Sequence, residues 1–199
     1  MPRLAMGILV FWFMSLFVFR SVLQWWRTGS TGMKGFSGAV GSVEWTAGLV
    51  TSLGFVAAPL APVAALAGWP GGGLLFESPV AHLVGALCAG IGVAGALVAQ
   101  IEMGDSWRIG VDESERTALV TRGLYRFVRN PIFSFILLSG VGLLLLVPNV
   151  YALLALAFTF VGIEVQVRVV EEPYLAAVHG TDYDDYRAST GRFVPGVGD

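Results

Sequence analysis

Charged side chains are scarce in this chain of 199 residues, since only 13% are Asp, Glu, Lys or Arg and 55% are hydrophobic. Soluble domains carry about a quarter charged residues, so this shortage excludes an ordinary soluble protein and indicates the bilayer. The net charge of −2 is too close to zero to indicate a nucleic-acid partner. Cys88 is the single cysteine, which excludes an intramolecular disulfide framework. Together with only two histidines, it makes a poor metal site, so we expect no metal.

Apolar segments long enough to cross a bilayer alternate with polar connectors. The first segment continues to a Trp25-Trp26 pair with no small-residue cleavage pattern, which favours a retained transmembrane helix over a signal peptide. Arg20, near the end of this segment, is expected to extend its charged head to the membrane interface. The predicted spans are residues 4–26, 43–68, 80–100, 132–147 and 150–170.

The last two spans are separated by Pro148 and Asn149, which predicts a helical hairpin. The sequence therefore indicates an all-α polytopic membrane protein with about five transmembrane helices and a C-terminal helical hairpin. Residues 1–101 are predicted to form a transmembrane scaffold, and residues 102–199 a catalytic core of polar loop, hairpin and tail. Small residues at every fourth position of the third span predict close helix packing through Ala86, Gly90 and Ala94 and through Gly92 and Ala96.

The distribution of basic residues predicts the topology. Five spans put the two chain ends on opposite sides, and Arg3 is then the one basic connector residue on the N-terminal side. The positive-inside rule places the N-terminus outside and the long loop and C-terminus in the cytoplasm. The basic residues on the predicted cytoplasmic side are Arg27, Lys34, Arg108, Arg116, Arg122, Arg126, Arg129, Arg187 and Arg192.

Residues 119–133, LVTRGLYRFVRNPIF, form a basic and aromatic segment that leads into the fourth span. Asn130 as N-cap and Pro131 at the first helical position predict a helix start. The free backbone N–H groups and positive end of such a helix would stabilise an anionic ligand group. Arg126 and Arg129 could each form bidentate hydrogen bonds with a carboxylate or phosphate. The alternative is that both arginines only anchor the loop to anionic lipid headgroups.

Ionisable residues in the last span are predicted to share one helix face. Glu164, Arg168 and either Glu171 or Glu172 follow at helical spacing. Ionisable groups are costly inside a membrane and usually pair or line a cavity. A functional pocket is the favoured interpretation, because the hairpin returns this face to the helix start at Asn130. The alternative is an intrahelical Glu164–Arg168 ion pair.

These motifs, in order, resemble the isoprenylcysteine carboxyl methyltransferase and phospholipid methyltransferase family of integral membrane enzymes. The family pattern is an R-H-P-x-Y-like motif, a helical hairpin, an E-E pair and a G-x-x-Y-x-x-Y tail. Asn130 replaces the usual His of this pattern and Phe133 the usual Tyr. Asn130 retains a donor and an acceptor but cannot act as a general base near neutral pH. The remaining matches are Gly123-Leu124-Tyr125, Arg129, Pro131, Glu171-Glu172 with Leu175, His179-Gly180 with Tyr183 and Tyr186, and the closing Arg192-Phe193-Val194-Pro195.

The resemblance implies methyl transfer from S-adenosylmethionine to a lipophilic or small-molecule acceptor, most simply a carboxylate of the prenylcysteine type or a related O, S or N nucleophile. Glu171 and Arg168 are the predicted catalytic residues. Arg168, Glu164 and Trp107 are predicted to bind the acceptor, although Trp at a membrane edge is more usually an anchor. The residues implied in cofactor binding are Tyr125, Arg129, Asn130, Pro131, Glu171, Glu172, Tyr183 and Tyr186.

Two other functions compete with this one. A steroid-reductase-like membrane enzyme that uses NADPH has a similar C-terminal hairpin. A non-catalytic membrane protein could bind lipid or a partner through the basic loop. Binding of S-adenosylhomocysteine or of NADPH distinguishes the three. No inverted repeat relates the two halves of the sequence, so a transporter has little support.

Overall fold

The computed structural model describes residues 1–33, 35, 38–108 and 118–198. Over these residues the secondary structure is helical, with isolated β-bridges but no β-strand. The all-α prediction is thus confirmed. Lys34 and Arg116, which the predicted topology counts as cytoplasmic, lie outside the described residues. The helices are α1 (Pro2–Thr28), α2 (Val43–Ala67), α3 (Pro79–Ser106), α4 (Pro131–Leu146), α5 (Val150–His179) and α6 (Thr181–Ser189), with a short 3-10 turn at Gly123–Arg126.

Four helices of the described chain, α1, α2, α3 and α5, are long and apolar enough to cross a membrane. Helix α4 is apolar but has only 16 residues, about 24 Å at 1.5 Å per residue. That is shorter than the roughly 30 Å hydrocarbon core. The outer surface carries large exposed apolar side chains, such as Trp26 at 80% and Val80 at 71% exposure. The prediction of a polytopic membrane protein is confirmed; where about five transmembrane helices were predicted, the described chain has four helices long enough to span and one shorter apolar helix.

The predicted helical hairpin is present as α4 and α5. Asn149 between them is fully buried. Its side chain accepts a hydrogen bond from the Ala152 N–H at 3.0 Å and donates to the Ala61 carbonyl at 2.8 Å. The first bond caps α5, and the second fixes the hairpin turn to α2.

Helices α3 and α4 approach each other through glycines. A Cβ on Gly142 would lie 2.5 Å from the Ala89 nitrogen, and one on Gly92 would lie 2.7 Å from the Phe135 carbonyl oxygen. Gly92 and Ala96 are buried as predicted, whereas Gly90 and Ala94 are exposed. The prediction that Ala86, Gly90 and Ala94 form a packing face was therefore wrong for Gly90 and Ala94. Small residues lie on two faces of α3, and α4 packs on only one of them.

Two of the long helices contain a π-helical turn. The turn in α1 covers Met14–Phe19, and the turn in α5 covers Gln166–Glu171. A π-turn adds one residue to a helical turn, so it rotates every later side chain by about 100° relative to a regular helix. This rotation decides which faces of α1 and α5 point into the bundle.

Candidate functional site

A cavity of about 300 Å³, called the polar cavity below, lies at one end of the bundle. It is enclosed by the C-terminal ends of α3 and α5, the start of α4, parts of α1 and α2, and the C-terminal tail. The tail consists of residues 180–198 and includes α6. Its wall includes Phe17, Thr51 and Gln100, so it is not confined to the predicted catalytic core of residues 102–199. The predicted site residues that line it are Trp107, Tyr125, Arg129, Asn130, Pro131, Glu171, Glu172, Tyr183 and Tyr186.

Glu172 is buried between two arginines. Its carboxylate accepts hydrogen bonds from Arg129 Nη2 at 3.0 Å, Arg192 Nε at 2.8 Å and Arg192 Nη2 at 2.9 Å. All three residues are at most 7% exposed. This carboxylate therefore joins the start of α4 and the tail to α5. Arg192 was known from the closing motif, but its ion pair with Glu172 was not predicted.

Arg129 holds the tail as well as Glu172. Its guanidinium donates to the carbonyl oxygens of Arg187 at 3.0 Å, of Gly198 at 2.7 Å, and of Thr190. Its backbone N–H also donates to the Gly191 carbonyl at 2.8 Å. Most of the donor capacity of Arg129 is thus used within the protein, although its Nε is buried without a partner among the described residues.

Helix α4 begins at Pro131 as predicted, with Asn130 in the N-cap position. The Asn130 side chain makes no capping bond. Its amide instead donates to the Arg192 carbonyl at 3.3 Å, which also accepts from the Asn130 backbone N–H at 3.1 Å. The expectation of side-chain capping was therefore wrong, because the tail competes for Asn130. The start of the helix, from Asn130 to Phe133, lines the polar cavity.

Glu171 and its neighbour Glu172 both line the cavity, but Glu171 lies within the interaction range of Arg108, whereas Glu172 is paired with Arg129 and Arg192. Its carboxylate also takes a hydrogen bond from the Gln166 side chain. The two acids predicted to act together are thus divided between two environments. Glu172 is held by buried arginines that fix the tail, and Glu171 lies near Arg108 at the cavity wall.

Three tyrosines surround the cavity. The Tyr125 hydroxyl donates to the Ala99 carbonyl at 3.3 Å, and the Tyr186 hydroxyl donates to the Tyr125 carbonyl at 2.6 Å. The Tyr183 hydroxyl is buried and has no partner in the described part of the chain. Burial raises the pKa of Tyr183 to about 12, and it raises the pKa of Tyr125 and Tyr186 as well. All three side chains are therefore neutral hydrogen-bonding groups at physiological pH.

Glu164 and Arg168 are not brought to the polar cavity. They form the intrahelical ion pair that was the alternative interpretation, and the Arg168 side chain is 55% exposed. The prediction that they share a face with the Glu171-Glu172 pair assumed a regular helix. The π-turn at Gln166–Glu171 breaks that register, so Arg168 points outward while Glu171 points into the cavity.

Trp107 is an interior residue and not an interfacial anchor, since it is only 2% exposed. The Arg20 guanidinium lies 4.5 Å from the centroid of its ring. Arg20 is fully buried and donates to the Gln100 carbonyl at 3.4 Å and the Gly104 carbonyl at 2.7 Å. Its predicted extension to the interface was wrong, because the preceding π-turn directs it to the end of α3. The sequence signal for the buried position of Arg20 was its charge within an apolar span.

Several polar atoms on the cavity wall are buried without a hydrogen-bond partner among the described residues. They are Gln100 Oε1, Arg129 Nε and Tyr183 Oη, one acceptor, one donor and one group that can do both. An unpaired buried polar group costs about 1–3 kcal/mol. Such a set indicates a ligand that carries both donors and acceptors. Within the described ranges no group of metal-binding side chains occurs.

Comparison with known protein families identifies one match to this chain. A family model described as phospholipid methyltransferase matches residues 80–182, just over half of the sequence. The matched region runs from α3 to the start of α6 and contains most of the polar cavity wall, but it excludes α1, α2 and the last residues of the tail. Searches of curated proteins and of solved structures gave no match.

Proposed function

Because the chain belongs to the phospholipid methyltransferase family, and is thus a membrane methyltransferase with a lipid-type acceptor, we propose that it transfers a methyl group from S-adenosylmethionine in the polar cavity. The observation that carries the proposal is the set of unpaired polar atoms beside the Glu171 carboxylate. In a membrane bundle these groups are expensive to bury unless a ligand completes their hydrogen bonds.

The residues of the cavity fit the polar groups of this cofactor. The start of α4 offers backbone N–H groups at the positive helix end, which suit the carboxylate of the methionine part. Glu171 suits its ammonium group, and Tyr183 and Gln100 suit the ribose hydroxyls or the base edge. When bound, the cofactor would supply a methyl group on a positively charged sulfur. Tyr125 and Tyr186 would act through packing, since their hydroxyls already have partners.

The protein's part in the reaction is to align the acceptor and to exclude water. The bound cofactor would supply its methyl group to the acceptor's lone pair, and its sulfur would be left as a neutral thioether. A carboxylate acceptor loses no proton in this step, whereas an amine acceptor must release one. For an amine acceptor, the Glu171 carboxylate would take that proton instead of pairing with the cofactor's ammonium group. The tail, held by Arg129 and Glu172, contributes Tyr183 and Tyr186 to the cavity wall.

The distribution of charge supports a cytoplasmic position for the cavity. Arg27 at the end of α1 and Arg108, Arg122, Arg126 and Arg187 around the polar loop and tail lie at the cavity end, whereas Arg3 begins α1. By the positive-inside rule the cavity end faces the cytoplasm. Labelling of a single cysteine placed at the C-terminus, in a Cys88→Ala background, tests this in sealed vesicles.

Binding of S-adenosylhomocysteine to the purified protein, measured by calorimetry, tests the proposed function. Glu171→Gln should weaken binding about tenfold or more, since a hydrogen bond to a charged group contributes roughly 1.5–3 kcal/mol. Glu164→Gln is the matched control, the same change on the same helix but outside the cavity. If the wild-type protein binds NADPH and not S-adenosylhomocysteine, the proposal is wrong. Equal affinities of the two variants would show that the cofactor lies elsewhere.

A further inference from the structure

A second space, called the apolar chamber below, lies next to the polar cavity and opens to the outer surface of the bundle, where its lining side chains Val10, Phe13 and Val56 are exposed. Its volume is about 420 Å³, and its walls come from α1, α2, α3, α4 and α5. Phe17, Phe55 and Ile136 line both spaces, so they form the partition between them. A ligand that passes this partition would have one end among polar groups and the other among apolar ones.

The chamber is suited to hydrocarbon. Its lining side chains are apolar except for Trp12, Ser139 and Thr159. The Ser139 hydroxyl is already bonded to the Phe135 carbonyl at 3.0 Å. The volume falls within the range of about 300–1,000 Å³ typical of small-molecule sites. A chain of methylene groups meets these conditions, whereas a polar headgroup would lose its hydrogen bonds.

Trp12 lies beside the partition, and its indole N–H is a hydrogen-bond donor without a partner among the described residues. Its ring lies 5.3 Å from Phe55 and 5.4 Å from Phe17, measured between ring centroids. Its indole N–H is buried with no acceptor in the described part of the chain. A buried Trp N–H usually finds a partner. A carbonyl at the head of a hydrocarbon chain would supply that acceptor at the boundary between the two spaces.

We propose that the apolar chamber holds an acyl chain of the methyl acceptor, with its ester or amide carbonyl bonded to Trp12 and its headgroup in the polar cavity. This inference rests on the proposed function and adds to it a site for the hydrophobic tail of the acceptor and a hydrogen bond from Trp12 to the acceptor's carbonyl. Residues 5–17 and 55–59 of the chamber wall lie outside the family match at 80–182. This part of the wall is thus not covered by the family match, and the depth of the chamber would limit how much of an acyl chain fits inside it.

The first experiment changes the size of the chamber. Ala155 lines it and is 3% exposed, whereas Ala157 on the same helix is exposed to the surroundings. Binding of phosphatidylethanolamines with short or long acyl chains is measured by native mass spectrometry. Ala155→Leu should weaken binding of the long-chain lipid about fivefold to a hundredfold and leave binding of the short-chain lipid unchanged. The control variant Ala157→Leu should bind both lipids as the wild type does.

A variant that enlarges the chamber guards against a folding defect. Leu156 lines the chamber, so Leu156→Ala should shift the preference toward longer chains. Partial unfolding would weaken all lipids equally and could not produce this opposite shift. If neither Ala155→Leu nor Leu156→Ala changes the chain-length preference, the acyl chain does not occupy the chamber.

The second experiment removes the donor. Trp12→Phe should weaken an ester-linked phosphatidylethanolamine about twofold to tenfold, the usual net effect of one neutral hydrogen bond. An ether-linked lipid has no carbonyl, so it should bind the wild type and this variant equally. Trp26→Phe, at a side chain 80% exposed, is the control. An equal effect on ester and ether lipids would overturn the carbonyl contact.

These measurements separate the two proposals. Lipid binding does not depend on methyl transfer, so it can succeed in a protein that fails to bind S-adenosylhomocysteine, and then only the proposed function is wrong. Binding of S-adenosylhomocysteine with no change in chain-length preference means that only the acyl-chain site is wrong.

Discussion

Replacement of Glu172 by Gln should release the C-terminal tail while the membrane bundle stays folded. The Glu172 carboxylate takes three charge-assisted hydrogen bonds from Arg129 and Arg192, whose side chains are 2% and 7% exposed. Breaking a buried ion pair by removing one partner costs about 3–5 kcal/mol. The substitution should mainly weaken the contacts of the tail, because Arg129 also donates to the carbonyl oxygens of Arg187, Thr190 and Gly198.

Hydrogen exchange of peptides from residues 180–198 measures this opening directly. The predicted loss corresponds to a fall in protection of about two to three and a half decades, since each 1.4 kcal/mol is a factor of ten. Glu171→Gln is the adjacent control. We expect it to keep the tail protected and to lose cofactor affinity, because Glu171 lines the cavity. Unchanged tail protection in Glu172→Gln would refute the ion-pair argument, even if activity fell.

Three further substitutions test other parts of the structure. Arg168→Gln should change the free energy of unfolding by no more than about 1 kcal/mol and leave methyl transfer intact, since the Arg168 ion pair is exposed. A large loss of methyl transfer would instead support the catalytic role predicted from the sequence. Arg20→Lys should lower thermal stability by about 1–3 kcal/mol and alter the near-ultraviolet circular dichroism, because a lysine cannot both reach two carbonyls and stack on a ring. Gly123→Ala should be more destabilising than Gly68→Ala in thermal unfolding. Both glycines have positive φ, but only a Cβ on Gly123 would meet another group, the Glu102 carboxylate at 2.4 Å; equal effects would contradict this.

The parts of the fold that the sequence predicted are those encoded by local signals. Asn130-Pro131 marks the start of α4, and Pro148-Asn149 marks the hairpin turn. Each depends on a few neighbouring residues whose backbone preferences are strong. Long apolar runs likewise predict spans without knowledge of their partners. The roles of individual polar residues followed less well, because they depend on which residues pack opposite them.

Asn130 illustrates this dependence. Its residue type predicts a cap, and its position is that of a cap, yet its side chain is bonded to Arg192. The acceptor is a backbone carbonyl 62 residues away. No local pattern reports such a contact. The resemblance to the family motif pointed to the correct region of the chain but not to this bond.

The outward position of Arg168 and the burial of Arg20 share one physical cause. A regular helix would put Arg168 on the same face as the Glu171-Glu172 pair, and the π-turns at Gln166–Glu171 and Met14–Phe19 change the face that follows. A π-turn disturbs the regular backbone hydrogen bonds, so it persists where a neighbour binds the freed groups. At α1 that neighbour is Gln100, which donates to the Leu16 carbonyl at 3.2 Å. Because Gln100 belongs to α3, the sequence of α1 alone does not predict the π-turn. The same contact brings Gln100 to the cavity wall with its Oε1 unpaired, so the residue that supports the π-turn in α1 also offers an acceptor to the ligand.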